Sequence, residues 1–260
     1  MTLRERLLRW HWLLSAQFGF DPLKLIGALG GVPRYVGALR RFRRAHRGPL
    51  ELVPCLHDWA QEAGSARDEY FWQDLLVARM IFAARPEKHV DVGSRVDGFV
   101  AHVASFREIE VFDVRPLGAD VPGITFRQAD LTQPVTELTG YCDSISCLHA
   151  LEHFGLGRYG DPMDPDGLQH GLANLARLLR PKGVLYLSLP IGTERVEFNA
   201  QVVSDPRAIV RLAAGHALAL HLLTIIRPGA TPEATRVEDA LLERLARERY
   251  ALGLFVFRKA

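Results

Sequence analysis

From residue 89 to residue 260, short apolar runs alternate with helical or glycine-rich stretches, and this alternation restricts the fold more than any other feature of the chain. The runs are 89–93, 109–114, 124–129, 144–148, 184–189, 217–226 and 252–257, each strand-like in length and residue type. Helical patterns over 168–179 and 206–214 fall between them. Seven strands with intervening helices predict an α/β fold whose sheet is mostly parallel and covered on both faces. Pro181, Lys182 and Gly183 predict a helix stop and a tight turn before the fifth strand. Residues 228–249 read as a loop and a helix, a connection long enough to bring the last strand back antiparallel.

Residues 1–85 read as a helical N-terminal cap, and 86–260 as the sheet domain. Leu3, Leu7, Leu8, Trp10, Leu14 and Phe18 recur at helical spacing with Arg4, Arg6 and Arg9 among them. A second segment sets Arg34, Arg40, Arg41, Arg43, Arg44 and Arg47 around Tyr35, Val36, Leu39 and Phe42. A third, near residues 69–84, places Phe71, Leu75, Leu76, Ala78, Ile81 and Phe82 on one face.

Residues 1–50 carry ten Lys or Arg against Glu5 and Asp21, whereas the remaining 210 residues carry 22 against 28 acids. A basic head on a mildly acidic body suits an anionic partner: phosphorylated substrate, membrane surface or nucleic acid. Aromatic residues beside the arginines suit peripheral membrane contact. No nucleic-acid-binding module is recognisable. With 48% hydrophobic and 24% charged residues the chain is not disordered. Its three cysteines, Cys55, Cys142 and Cys147, are too few for a disulfide framework or a four-cysteine zinc site, which points to a reducing cytoplasm. The charged N-terminus does not read as a signal peptide, and Lys24, Pro33 and Arg34 break the apolar stretch 23–39 before it could span a bilayer.

In an open α/β sheet, ligands bind beyond the carboxyl ends of the strands where strand order reverses. The first run ends in Asp91-Val92-Gly93-Ser94-Arg95-Val96-Asp97-Gly98, a glycine turn leading into a helix. The second ends at Asp113, spaced to accept from both hydroxyls of a ribose, and the third at Asp130, placed to accept from an exocyclic amine. These three strand ends describe a nucleoside pocket.

The same residues, followed by Asp143-Ser-Ile-Ser-Cys-Leu-His-Ala-Leu-Glu-His and Leu178-Leu-Arg-Pro-Lys-Gly-Val-Leu-Tyr-Leu-Ser-Leu-Pro, resemble class I S-adenosylmethionine-dependent methyltransferases. The runs Tyr70-Phe-Trp-Gln-Asp-Leu, Asp97-Gly-Phe-Val-Ala-His, Glu152-His-Phe-Gly-Leu-Gly-Arg-Tyr-Gly-Asp-Pro and Arg195-Val-Glu-Phe-Asn-Ala are similar to a bacterial family known as domain of unknown function 268. The methyltransferase resemblance implies a Rossmann-like seven-stranded sheet with an antiparallel last strand. It implies S-adenosylmethionine held by Asp91, Gly93, Ser94, Arg95, Asp113, Asp130 and Leu148. Arg95 and Asp97 depart from the family's glycine-rich loop; Arg95 either fills the cofactor's path or grips its carboxylate.

His149, Glu152 and His153 follow the fourth run, over the cofactor's expected reactive end, and form the candidate catalytic set, with an imidazole taking the proton of an acceptor hydroxyl. The competing structural reading has His153 capping a short helix and Glu152 pairing with Arg158. The same residues match the H-x-x-E-H pattern of a zinc protease, but nearby Gly155 and Gly157 deny it the helix it needs, and no metal is expected. Arg158, Tyr159 and Asp161, in a glycine-rich loop, are candidate substrate contacts. So are Arg195, Glu197 and Asn199, which share one face of an extended segment. The function these readings imply is methyl transfer to a hydroxyl of a sugar or sugar-linked metabolite, of the surface-polysaccharide type. The alternative is a cofactor-free binding or scaffold protein at a membrane-associated assembly site.

Overall fold

The computed structural model describes residues 3–59, 61–235 and 237–260; the side chains of Leu3, Arg4, Glu5 and Arg9, expected on the first helix, lie outside the described residues. The chain divides into two units, residues 1–65 and 66–260. The first contains α1 (Leu3–Trp12), a π-helical turn over Leu13–Gln17, and α2 (Pro22–Ala45). Asp21 starts α2 by accepting from the backbone N–H groups of Leu23 and Lys24 at 3.0 and 3.2 Å, with Pro22 preset for the first helical position.

The second unit begins with α3 (Glu69–Ala84), capped by Asp68. Then come β1 (His89–Val92), a π-helical turn (Val96–Val100), α4 (Ala101–Ala104), β2 (Ile109–Asp113), β3 (Ile124–Gln128) and β4 (Cys142–Leu148). The chain continues through α5 (Gly167–Leu178), β5 (Leu179–Ile191), β6 (Arg195–Glu197), β7 (Gln201–Val203), α6 (Pro206–Gly215) and β8 (Leu218–Ile226). It closes with β9 (Glu233–Thr235), α7 (Asp239–Leu245) and β10 (Ala251–Lys259). The main sheet runs β3-β2-β1-β4-β5-β10-β8-β9, while β6 and β7 pair separately. The first five strands are mutually parallel, and β10 inserts antiparallel between β5 and β8.

All seven expected runs are strands of this sheet, including the antiparallel last one. The eighth, β9, is an edge of three residues, Glu233–Thr235, too short and too polar to announce itself. The expected turn at 181–183 lies inside β5, which begins directly at Leu179 and whose register against β4 shifts between Cys142 and Ser144.

Two cores flank the sheet. On one face Val77, Ala78 and Ile81 of α3 join Phe99, Val100 and Val103 over Val111, Leu254 and Val256. On the other, Leu172 and Leu175 of α5, Ile209 of α6 and Leu245 of α7 cover Ile145, Leu187, Phe255 and Phe257. Alternate residues of β10 therefore serve opposite cores, as strand geometry demands. Because α3 supplies one covering layer of the sheet, it belongs to the second unit. Strand order reverses between β2-β1 and β4-β5, which opens a crevice at the carboxyl ends of β1 and β4.

Candidate functional site

A cleft of about 370 Å³ occupies that crevice. Gly93, Arg95, Asp113, Asp130, His149, His153, Arg158, Tyr159 and Asp161 all line it, together with Tyr70, Arg115 and Gln201. The remaining expected residues divide into two groups: Asp91, Ser94, Leu148 and Glu152 are buried, and Arg195, Glu197 and Asn199 stand outside the lining.

Asp91 is fully buried at the end of β1 and does not reach the ligand space. Its carboxylate accepts from the Ser94 N–H at 3.0 Å, the Ser94 hydroxyl at 2.6 Å and the Ser146 hydroxyl at 2.5 Å. Ser94 Oγ in turn accepts from the Leu148 N–H at 3.1 Å, so the turn after β1 is tied to the end of β4. His89 extends the network, its two ring nitrogens bonded to Ser144 and Ser146 at 2.8 and 3.1 Å. Burial pushes Asp91 up to about 7, against the pull of its hydroxyl donors, and holds His89 down at about 3. The network shapes the turn in which Gly93 adopts a φ of +72°. A side chain there would bring its Cβ within 2.8 Å of the Ala150 Cβ, so glycine is required twice over.

The two strand-end aspartates at the cleft differ in what they already hold. Asp130 accepts from the Thr132 N–H and hydroxyl through Oδ1 alone, at 2.9 and 2.7 Å. Asp113 is gripped on both oxygens by Arg115, at 3.0 Å from Nε and 2.6 Å from Nη2, with a further bond from the Arg115 N–H. The Arg115 guanidinium also lies 4.5 Å from the centre of the Tyr159 ring. Arg95 borders the cleft with its guanidinium bonded to Asp97 at 2.7 and 3.0 Å.

His149 and His153 have opposite environments. The residues between them form one short 3-10 turn, Leu151–His153, and His149 itself has a φ of +50°, so the H-x-x-E-H pattern does not present two imidazoles along a helix. His149 Nδ1 bonds Glu152 Oε1 at 2.7 Å, and Nε2 faces Glu69 Oε1 at 3.5 Å. Burial opposes its charge, but the two carboxylates prevail and raise it to about 10. Both ring nitrogens face carboxylates, an arrangement that favours the protonated ring over a proton-accepting one. Tyr70 stacks on this ring at 4.5 Å, and Tyr250 donates to Glu69 at 2.6 Å. Glu152 is fully buried behind His149 and does not pair with Arg158.

His153 is held the other way. Its Nδ1 lies 2.7 Å from the Ala200 carbonyl oxygen, which can only accept, so Nδ1 carries a proton, while Nε2 makes no hydrogen bond among the described residues and lies 3.9 Å from Glu152 Oε1. Burial lowers its pKa, and the neutral form prevails near pH 7.

Two groups of expected substrate contacts have structural tasks instead. Asp161 accepts from the N–H groups of Gly155, Gly157 and Tyr159, so it folds its own loop even though it borders the cleft. Arg195 bonds Glu197 and the carbonyl oxygens of Thr193 and Arg249, and Glu197 also accepts from Gln201. The three-residue polar face expected there does not form: β6 ends at Glu197, Asn199 falls in the turn before β7, and Arg195 and Glu197 bond each other. Of this ribbon only Gln201 lines the cleft.

Reasoning from sequence missed Glu69, Tyr250, Arg115 and Gln201. Arg115 alone left a local signal, an aspartate two residues before an arginine, in Asp113-Val-Arg115.

The family model described as Caenorhabditis protein of unknown function, DUF268, matches residues 124–222, less than half of the chain. No curated protein matches the chain. Among solved structures it is similar to the 1,6-didemethyltoxoflavin-N1-methyltransferase of Burkholderia thailandensis, bound to 1,6-didemethyltoxoflavin and S-adenosylhomocysteine. That likeness has 12% identity over 73% of this chain and 79% of the other, with a TM-score of 0.48. A geranyl diphosphate methyltransferase in complex with SAM matches at 13% identity over 71% and 85% of the two chains, TM-score 0.49. The YcgJ protein of Bacillus subtilis matches at 11% identity over 72% and 98%, TM-score 0.48.

Proposed function

We propose that this chain binds S-adenosylmethionine in the cleft at the β1 and β4 ends and methylates an oxygen nucleophile, with His153 receiving the proton. One observation carries the reading: a neutral imidazole, its tautomer set by the Ala200 carbonyl, faces a cleft bordered by the Gly93 turn and by Asp130. The cleft volume is in the range of small-molecule sites.

The residues present fit the cofactor at most points. Gly93 leaves space where any side chain would intrude on Ala150. Asp130 keeps Oδ2 for an amine, since Thr132 uses only Oδ1. Asp113 becomes available to ribose hydroxyls when Arg115 releases it. When bound, S-adenosylmethionine supplies an electrophilic methyl group on a sulfonium, and the protein's contribution is then chiefly alignment.

His153 Nε2 would take the acceptor's hydroxyl proton as the new bond forms. Arg158 donates to the Ala200 carbonyl through Nη1 and lies 5.0 Å from the centre of the Tyr159 ring, so the two border the acceptor side as a polar and aromatic platform. A sugar or sugar-linked hydroxyl compound suits this platform, although Arg195, Glu197 and Asn199 no longer support that choice.

The Arg115 clamp on Asp113 favours a second reading, a cofactor-free binding protein whose ribose seat is closed. Calorimetry with S-adenosylmethionine and S-adenosylhomocysteine separates the two. Binding of either ligand, weakened by about 1.5–3 kcal/mol in Asp130→Ala, is the expected result. Absence of binding at millimolar ligand removes the enzyme reading, and undiminished affinity in Asp130→Ala removes the adenine assignment.

A further inference from the structure

We infer that the first unit docks on an anionic lipid bilayer through one face of α2, a property that does not rest on the catalytic reading. Along α2, Leu25, Ile26, Leu29 and Val32 fall at helical spacing on one side, and all four are exposed, Ile26 at 66% and Leu29 at 64%. Continued by the same spacing, this stripe passes Val36 and reaches Arg40, Arg43 and Arg44, all three exposed. Gly31 lies on the opposite side of the helix. It is buried so closely against the Leu56 carbonyl that an added Cβ would sit 1.8 Å from the oxygen. Arg34 stacks over Trp59 at 4.4 Å. The helix therefore turns one face to the returning segment around Leu56 and leaves the other, apolar then cationic, uncovered by the described residues of its own unit. Trp10, Trp12, Phe18 and Phe20, ahead of α2, are likewise more than half exposed.

Water is a poor neighbour for so much apolar surface, which in a soluble domain marks a contact site. Charge selects the occupant. Residues 22–50 contain seven Lys or Arg and no acid, so a second copy presenting the same stripe would meet like charge, whereas an anionic membrane surface meets opposite charge. The arrangement is that of an interfacial helix: aliphatic side chains enter the headgroup–acyl boundary, long arginine side chains reach the phosphates, and tryptophans favour the same depth. Among the described residues no helix is long and apolar enough to cross a membrane, which matches a helix lying in the interface.

The test is vesicle flotation of the full chain. Vesicles of equal parts phosphatidylcholine and phosphatidylglycerol should carry the protein at about 0.1 M salt and release much of it at about 1 M, where the Debye length falls from about 10 to 3 Å. Phosphatidylcholine alone should carry little. Combined Leu25→Asp, Ile26→Asp and Leu29→Asp should reduce partitioning by about tenfold or more, and so should Arg40→Glu, Arg43→Glu and Arg44→Glu. Circular dichroism checks that both variants keep their helices; an arginine-to-glutamine set serves if they do not. The proposal is overturned by equal flotation with neutral and anionic vesicles, by no flotation, or by both variants floating like the parent. A dimer that light scattering detects, lost in the apolar variant without lipid binding by the parent, would instead assign the face to a second copy.

Discussion

Asp91 and Asp113 end neighbouring parallel strands, yet one belongs to the floor of the cleft and the other to its rim. Asp91 is sealed by two serine hydroxyls and a backbone N–H, all supplied by β1, its turn and β4, and none of these can leave without disturbing the sheet. Asp113 is held by the Arg115 side chain, which is 42% exposed and can exchange its partner for water. The histidines show the same division. His149 is locked between Glu69 and Glu152, whereas His153 makes its hydrogen bond through Nδ1 and approaches Glu152 at Nε2 no closer than 3.9 Å. Groups whose every bond is internal set shape and stability; groups with one side unspent can exchange that side with a ligand. Substitutions in the floor should thus register in melting curves, and those in the rim in binding or turnover.

The sharpest separation is expected at His153. Its replacement by alanine should lower methyl transfer by about 10²–10⁴-fold, the usual contribution of a positioned general base, with cofactor affinity nearly unchanged. Single-turnover assays across pH add the signature of the role: the acid limb of the parent's profile should lie below the ordinary histidine range, because burial lowers this pKa. A full rate in His153→Ala, or an acid limb retained in it, would assign the proton to another group.

The floor should respond in stability. At about pH 4, Asp91→Ala leaves the Ser94 and Ser146 hydroxyls without their buried acceptor and should cost about 3 kcal/mol, or roughly 6–12 °C in Tm. The cost should shrink toward pH 7. Burial raises Asp91 from its unfolded value near 3.8 to about 7, so its favourable contribution is complete below the lower value and lost as pH rises through the higher. Thermal melts of both proteins at several pH values check this; a difference constant with pH would show that Asp91 does not titrate in the fold. His149 provides the same test at higher pH. With its pKa raised to about 10, it should stabilise the fold fully below about pH 6.5 and lose that contribution as pH rises through 10. In His149→Gln this decline should vanish.

Much of the sheet could be read from the chain because strand length and residue type are local properties. The grouping of α3 could not: its apolar face is as visible as any, but nothing in 69–84 says which surface it covers. At the site, Gly93, Asp113 and Asp130 were legible because the strand-end rule converts position into placement. What the sequence hid was occupancy. That Asp91 and Asp161 are saturated depends on Ser146 and on the backbone of Gly155 and Gly157. The charge on His149 depends on Glu69, delivered by α3 from far earlier in the chain. Protonation states follow from tertiary neighbours, and no spacing rule reports them.

The smallest predicted effect tests the rim most directly. If Asp113 is a ribose seat, Arg115 competes with the cofactor for it, and removing the competitor should tighten binding. A partly exposed ion pair contributes only about 0.2–1 kcal/mol, so Arg115→Ala should improve S-adenosylhomocysteine affinity by roughly 1.5- to 5-fold. Arg115→Lys, which keeps the charge but lacks the two-pronged geometry, should fall between. Calorimetry at low and high salt reads both, and the gain should shrink at high salt as the parent's own ion pair is screened. Weaker binding in Arg115→Ala would make the arginine a ligand contact instead, and would move Asp113 from the rim to the floor: a carboxylate whose task is to aim its arginine.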